Sequence, residues 1–254
     1  MATALITGGT AGIGAAFARA LAERGNDLVL VARDADRLAG TAAELGDRYG
    51  VTVQTLPADL AVRADVLRVA ARLEDPERPI DILVNNAGYG LHVKLLQDDV
   101  AAHARAIDVM CLAVLILGGA AGRAMKARGH GRIINVASLA AYIAQGGYSP
   151  IKAYVLAYSE GLANELRGTG VRVTVVNPGW VRTEFHERAG IRTSAIPDIV
   201  WVEADRCAET LEDADKGRVI SVPTKRWKLQ KLLARHAPRS AVRWASRMLS
   251  RSRE

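Results

Sequence analysis

Short apolar runs alternate with longer, helix-patterned segments from one end of this chain to the other. The apolar runs cover 4–7, 28–32, 51–56, 82–85, 132–137, 171–177 and 219–222. Several are too continuously apolar to be half-buried strands. Such runs occur where both faces of a sheet are covered. Helical patterns over 12–24, 35–49, 61–73, 99–127, 150–167 and 203–213 supply the cover. Repeated β-α units with right-handed crossovers predict an α/β fold with a doubly wound parallel sheet. The chain has 254 residues, with neither a Pro/Gly/Ser linker nor an internal repeat, so one domain is expected.

Other classes are excluded by what the chain lacks. Cys111 and Cys207 lie far apart and form no CxxC, and the five histidines include no HExxH spacing. No disulfide scaffold and no metal centre are therefore expected. The first 18 residues are uncharged, yet they lack a basic leader region and are broken by Gly8, Gly9, Gly12 and Gly14. The apolar run 109–117 is about half the ~20 residues a bilayer span requires. A cytoplasmic protein is the expectation. Its net charge of +7 is uneven, because residues 225–254 hold ten Lys or Arg against one Glu, leaving −2 for the first 224. The chain thus reads as a near-neutral body, 1–224, and a basic helical tail, 225–254.

The first motif with chemical content is Thr7-Gly8-Gly9-Thr10-Ala11-Gly12-Ile13-Gly14, directly after the first strand and opening the first helix. Glycines there let the backbone approach a pyrophosphate, whose charge is met by N–H groups and the helix dipole. A tight strand-to-helix turn needs glycine in any case. At the end of the second strand, Ala32 supplies no carboxylate to hold ribose hydroxyls, while Arg33 offers a fork suited to a 2′-phosphate. That favours NADP(H) over NAD(H), against the plainer reading of a solvated loop arginine. Asp59-Leu60 ends the third strand, where the carboxylate suits an adenine amino group or the cap of the next helix. In Asn85-Asn86-Ala87-Gly88 small residues follow a buried strand, which fits close approach to a ligand or satisfaction of loop amides equally well.

Tyr148 and Lys152 stand four apart, on one face of a helix, and Ser138 lies ten residues upstream after the strand Ile133-Ile134-Asn135-Val136-Ala137. A phenol of pKa ~10 is a poor acid–base group near neutrality. A nearby ammonium is expected to lower that value and make proton exchange with a carbonyl oxygen feasible. The Ser138 hydroxyl can hold the same oxygen.

In their order, these motifs resemble the short-chain dehydrogenase/reductase family in its roughly 250-residue form. The resemblance covers about residues 2 to 223 and includes TGGTAGIG, NNAG, the serine strand, YSPIK and Asn177-Pro178-Gly179-Trp180-Val181-Arg182-Thr183. It implies a seven-stranded Rossmann sheet and hydride transfer between a nicotinamide and a carbonyl/alcohol pair. Tyr148 would then be the proton donor or acceptor, Ser138 would orient the substrate oxygen, and Lys152 would hold ribose hydroxyls and tune Tyr148. Cofactor contacts would come from Gly8, Thr10, Gly12, Ile13 and Gly14, from Arg33, Asp59 and Leu60, and from Asn86, Ala87 and Gly88 beside the adenosine ribose. Pro178, Val181 and Thr183, with Gly179 in the same loop, would hold the carboxamide. A homodimer or homotetramer packed through the helices 99–127 and 150–167 is implied as well.

One position departs from the family pattern. Where relatives carry an asparagine 28 residues before the serine, this chain has Met110. A thioether cannot donate a hydrogen bond. The alternative to an NADP(H)-dependent enzyme is therefore a cofactor-binding regulatory or scaffold protein with weak turnover. Apolar residues after the carboxamide loop, Phe185, Ile191, Ile196 and Trp201, with Trp180 nearby, suit an apolar ketone or alcohol, or else simply cover core. For the tail, a helix docked on the body is the default. Its Arg239, Arg243, Arg247 and Arg251 recur every four residues, which also suits weak, salt-sensitive contact with an anionic membrane. Trp227 and Trp244 are the tail's only aromatics, so no nucleic-acid partner is expected.

Overall fold

The computed structural model describes residues 1–91, 93–184 and 198–251. Strand and helix alternate as the pattern predicts: β1 (Thr3–Thr7), α1 (Gly12–Glu23), β2 (Asp27–Ala32), α2 (Ala35–Tyr49), β3 (Val53–Pro57), α3 (Arg63–Glu74) and β4 (Ile82–Asn85). There follow α4 (Ala101–Ile107), a π-helical turn (Asp108–Leu112), α5 (Ala113–Arg128), β5 (Gly131–Val136), α6 (Tyr148–Glu165) and β6 (Val171–Val176). Then come β7 (Trp180–Arg182), β8 (Trp201–Glu203), α7 (Asp205–Ala208), α8 (Leu211–Asp215), β9 (Ile220–Ser221), α9 (Lys225–His236) and α10 (Arg239–Arg251). Seven strands pair in parallel in the order β3-β2-β1-β4-β5-β6-β9. The expected doubly wound Rossmann sheet is what forms.

Alternation along each strand divides the core in two. Leu5, Val29, Leu83 and Ile133 face α3 and α5, packing with Val69, Leu73, Leu117 and Ala120. Ile6, Leu28, Leu30, Val84 and Ile134 face α1 and α2, around Phe17, Leu21 and Leu38. Each such fully buried side chain contributes roughly 1.5–3 kcal/mol.

Two local expectations are corrected, and one feature was not anticipated. The single helix predicted over 99–127 is interrupted by the π turn at Asp108–Leu112. The pattern over 203–213 forms two short helices, α7 and α8. The pair β7–β8 forms a separate two-stranded ribbon that no local signal announced. Its strands have three residues each and meet through Trp180 against Trp201, edge to face at 5.5 Å. Among the described residues one helical span, Ala101–Arg128, is long and apolar enough to cross a membrane, and 56% of its most apolar window is buried inside the fold. The core already uses that apolar surface.

The tail is not a detached appendage. Thr224 caps α9, accepting a hydrogen bond from the Trp227 N–H at 3.3 Å. Trp227 is 2% exposed and packs with Val181, Cys207 and Val222. A Cβ on Gly179 would stand 2.6 Å from its ring. In α10, Val242 and Ser246 are buried, and the Ala144 N–H donates to Ser246 Oγ at 3.1 Å. Position 224 marks a change of charge, not a break in packing.

Candidate active site

In a parallel sheet the ligand crevice lies beyond the carboxyl ends of the strands, where the strand order reverses. Here that point falls between β1 and β4, and every predicted motif emerges around it.

The glycine turn joins β1 to α1. Gly8 and Gly12 have φ of +67° and +51°, which L side chains rarely adopt. A Cβ on Gly14 would collide with the Gly8 carbonyl and the Asn86 amide. Helix α1 starts with no side-chain cap and no acidic residue in its first turn. Its first N–H groups and dipole are thus directed at an anion. Thr183 lies against Gly12, where a Cβ would approach it to 3.0 Å, so the end of the carboxamide loop meets the start of the glycine helix.

Asn86 holds this turn from below. Its Nδ2 donates to Thr7 O (3.0 Å) and Gly8 O (3.3 Å). Thr7 Oγ1 in turn accepts from the N–H groups of Asn86 and Ala87, each at 3.0 Å. The Asn86 side chain therefore serves the protein's own backbone, and Ala87 and exposed Gly88 form the rim of the crevice.

At the adenosine end, Ala32 closes β2 and Arg33 is exposed, with no ion pair among the described residues. Asp34 is taken up as the cap of α2, accepting from the Arg37 N–H at 2.9 Å. Arg37, which the sequence reading did not single out, donates from Nε to Thr10 O (3.1 Å) and pairs with Glu184 (2.8 Å). Asp59 accepts from the Ala61 N–H at 3.0 Å and pairs with Arg105 at 2.7 Å. Burial acts to raise the Asp59 pKa, but the Ala61 N–H and the Arg105 guanidinium outweigh it and hold the carboxyl below its ordinary range. Leu60 is buried in the core.

Ser138 follows β5 and caps a short 3₁₀ turn (Leu139–Tyr142), its Oγ accepting from the Ala140 N–H at 3.1 Å. The same hydroxyl donates to Pro178 O at 3.4 Å and lies near enough to the Tyr148 phenol to act on its pKa. Tyr148 opens α6, and one turn on Lys152 is buried, with Nζ 5.6 Å from the Tyr148 ring centroid. Lys152 Nζ donates to Val136 O at 3.0 Å. Burial lowers the Lys152 pKa to about 8, opposed by the charge of Cys111. The Tyr148 phenol is shifted upward by burial, with the Ser138 hydroxyl opposing. The expectation that the Lys152 ammonium depresses the phenol in the protein by itself is thus corrected. Desolvation dominates both groups, and the lysine's proton is directed at a backbone carbonyl.

A buried polar ladder, also missed from sequence, fixes α6 on the sheet. Asn85 Nδ2 donates to Asn135 Oδ1 (3.0 Å), Asn135 Nδ2 to Ser159 Oγ (2.9 Å), and Ser159 Oγ to Val155 O (2.6 Å). Its available signal was an asparagine inside the otherwise apolar run 133–136. The carboxamide loop is tied to the serine strand by the Leu139 N–H, which donates to Pro178 O at 2.9 Å. Val181 is buried, and Gly179 rests on Trp227. Ile13 packs beside the same cluster.

Met110 sits in the π turn at 1% exposure. Its Sδ lies 3.1 Å from where a Cβ on Gly88 would be, so the thioether fills the gap between the central helix and the NNAG turn. Phe185, Ile191 and Ile196 lie outside the described residues.

The crevice suits a dinucleotide on its own geometry: left-handed glycines, an uncapped helix start, and a cation with no described ion partner at the end of β2. A sheet of this order with Ser, Tyr and Lys at its carboxyl edge defines a Rossmann-type oxidoreductase. The family model for short chain dehydrogenase matches residues 2–192. A short-chain dehydrogenase from Sphingobium yanoikuyae in complex with NADPH is 37% identical, with a TM-score of 0.84, covering 90% of this chain and 92% of that one. The bulky-bulky ketone specific alcohol dehydrogenase from Comamonas testosteroni is 29% identical, with a TM-score of 0.79 over 94% and 96% of the two chains. An uncharacterized oxidoreductase of Staphylococcus saprophyticus is 37% identical over 183 residues, 71% of this chain and 78% of that protein. This chain belongs to the short-chain dehydrogenase/reductase family, oxidoreductases that work with a nicotinamide cofactor.

Proposed function

We propose that the protein is an NADP(H)-dependent reductase of apolar ketones, or dehydrogenase of the corresponding secondary alcohols. The observation that carries this is the convergence of Ser138 and Tyr148, with Lys152 buried one turn further along α6. When bound, the nicotinamide supplies or takes up the hydride. Gly8, Thr10, Gly12, Ile13 and Gly14 would cradle its pyrophosphate, and Pro178, Gly179, Val181 and Thr183 its carboxamide. In the reductive direction Ser138 Oγ donates a hydrogen bond to the substrate carbonyl oxygen. Tyr148 Oη then transfers its proton to that oxygen and becomes a phenolate. With the cofactor in place, the Lys152 ammonium, 5.6 Å from the Tyr148 ring centroid, would stabilise this anion as it forms, which is where a cation contributes most to rate.

Arg33 supports the phosphorylated cofactor, since Ala32 offers no carboxylate and Asp34 is engaged in capping. The NADPH bound to the Sphingobium relative agrees with this choice. The edge-to-face Trp180–Trp201 pair beside the carboxamide loop supports an apolar substrate, as does the bulky-ketone specificity in the Comamonas enzyme's name. Assembly as a homodimer or homotetramer would use α5 and α6, where Leu115 and Tyr154 stay exposed.

The test is a ketone screen following NADPH absorbance with wild type and Tyr148→Phe. Loss of a positioned general acid costs about 10²–10⁴-fold in turnover, while NADPH binding is expected to persist. Normal turnover by Tyr148→Phe would overturn the mechanism. Met110 supports a second reading, a cofactor-binding regulatory protein with weak turnover. Tight NADPH binding without reduction of any ketone in the screen would favour it.

A further inference from the structure

We propose that the open sides of the two C-terminal helices dock on an anionic lipid bilayer. Each helix has one anchored side and one open side. In α9 the anchor is Trp227, its only buried residue. Helical spacing places Leu229, Leu232 and Leu233 on the opposite side, exposed by 57%, 52% and 62%. In α10 the anchors are Val242 and Ser246. Trp244, two residues from each, points away from both and is 66% exposed.

Cations rim both open sides. Lys225 and Lys228 flank the leucines, Arg243 and Arg247 flank Trp244, and all four are exposed. No Asp or Glu occurs anywhere from 225 to 253. This charge pattern selects the occupant. A second copy pairing through the same face would set like charges against each other, because a two-fold interface is self-complementary. A nucleic-acid duplex would meet the cations and leave the leucines in water. A bilayer surface satisfies both features, with Leu and Trp entering the headgroup boundary and Lys and Arg meeting anionic headgroups.

Deleting the tail is an unsuitable test, since Trp227 supports Gly179 and Ser246 holds Ala144. The full chain would instead be sedimented with phosphatidylglycerol/phosphatidylcholine vesicles and with phosphatidylcholine vesicles. Binding is expected to the anionic vesicles only, to be lost when salt rises from about 0.1 M to about 0.5 M, and to shift Trp244 emission to the blue. The triple variant L229Q/L232Q/L233Q is expected to lower partitioning by at least ~tenfold with an unchanged thermal melt. Should that variant not fold, Trp244→Gln takes its place, with a smaller loss expected. Equal sedimentation with both vesicle types, sedimentation with neither, or unaltered binding by the folded variant would each overturn the proposal. So would vesicle-independent self-association, or DNA binding, that these substitutions abolish.

Discussion

Ser246, in the last helix, accepts a hydrogen bond from the backbone N–H of Ala144, in the loop between Ser138 and Tyr148. A residue of the C-terminal tail thus holds the backbone that joins two of the three proposed catalytic side chains. Ser246 is 2% exposed but Ala144 is exposed, so Ser246→Ala removes a hydrogen bond whose donor water can reach, at a cost of about 0.5–1.5 kcal/mol. The 138–148 loop is expected to loosen. Amide exchange at Ala144 should accelerate, and KM for bulky ketones should rise more than kcat falls. Unchanged exchange at Ala144 would show that the loop is held from elsewhere.

The pH dependence should follow Lys152, whose pKa is lowered to about 8 by burial. Below that value its ammonium supports the phenolate formed on Tyr148, so kcat/KM for reduction is expected to fall as pH rises through about 8. Stability has the opposite sign. Between about 8 and the unfolded lysine value of ~10.4 the unfolded chain binds a proton that the folded chain does not, so raising pH favours folding. Comparing urea melts of wild type and Lys152→Met across that window checks this. The stability of wild type should gain on that of the variant as pH rises.

Met110→Asn restores the residue usual in relatives but removes a thioether packed against Gly88. Placing a shorter, polar side chain in this sealed position should cost about 2–4 kcal/mol, read as a lower urea midpoint. Turnover by the folded variant is expected not to exceed wild type. A clear rise would mean that the native proton path is limited by methionine.

Arg33→Ala should weaken NADPH binding by about 1.5–3 kcal/mol, the range for hydrogen bonds to charged groups, and leave NADH nearly unaffected. Titration by intrinsic fluorescence with both cofactors reads this directly. Equal affinity of wild type for the two cofactors would remove the case for a phosphorylated one.

Much of the molecule was legible in its linear order. The strands, the glycine turn and the one-turn spacing of Tyr148 and Lys152 are local patterns, set by periodicity, by the special conformations of glycine and by helix geometry, while the grouping of Ser138 with them came from the family resemblance. Residues whose roles depend on distant partners were not legible. Arg105 finds Asp59 across 46 residues, Arg37 finds Glu184 across 147, and Asn135 reads as an oddity in an apolar strand until Asn85 and Ser159 are placed on either side. The ribbon of Trp180 and Trp201 has no local signal, because three-residue strands acquire their pairing only from a partner.

Electrostatics divided in the same way. Which groups titrate could be read from residue type, but the direction of the Tyr148 and Lys152 shifts depends on how much water the folded core excludes. Linear order alone fixed the alternation of strands and helices that builds the parallel sheet, since this follows from apolar periodicity, and the resemblance of its motifs supplied the chemistry expected at the carboxyl edge. That the basic tail braces the loops beside that site follows from folding alone, because Gly179 meets Trp227 and Ala144 meets Ser246 only once the chain has closed on itself.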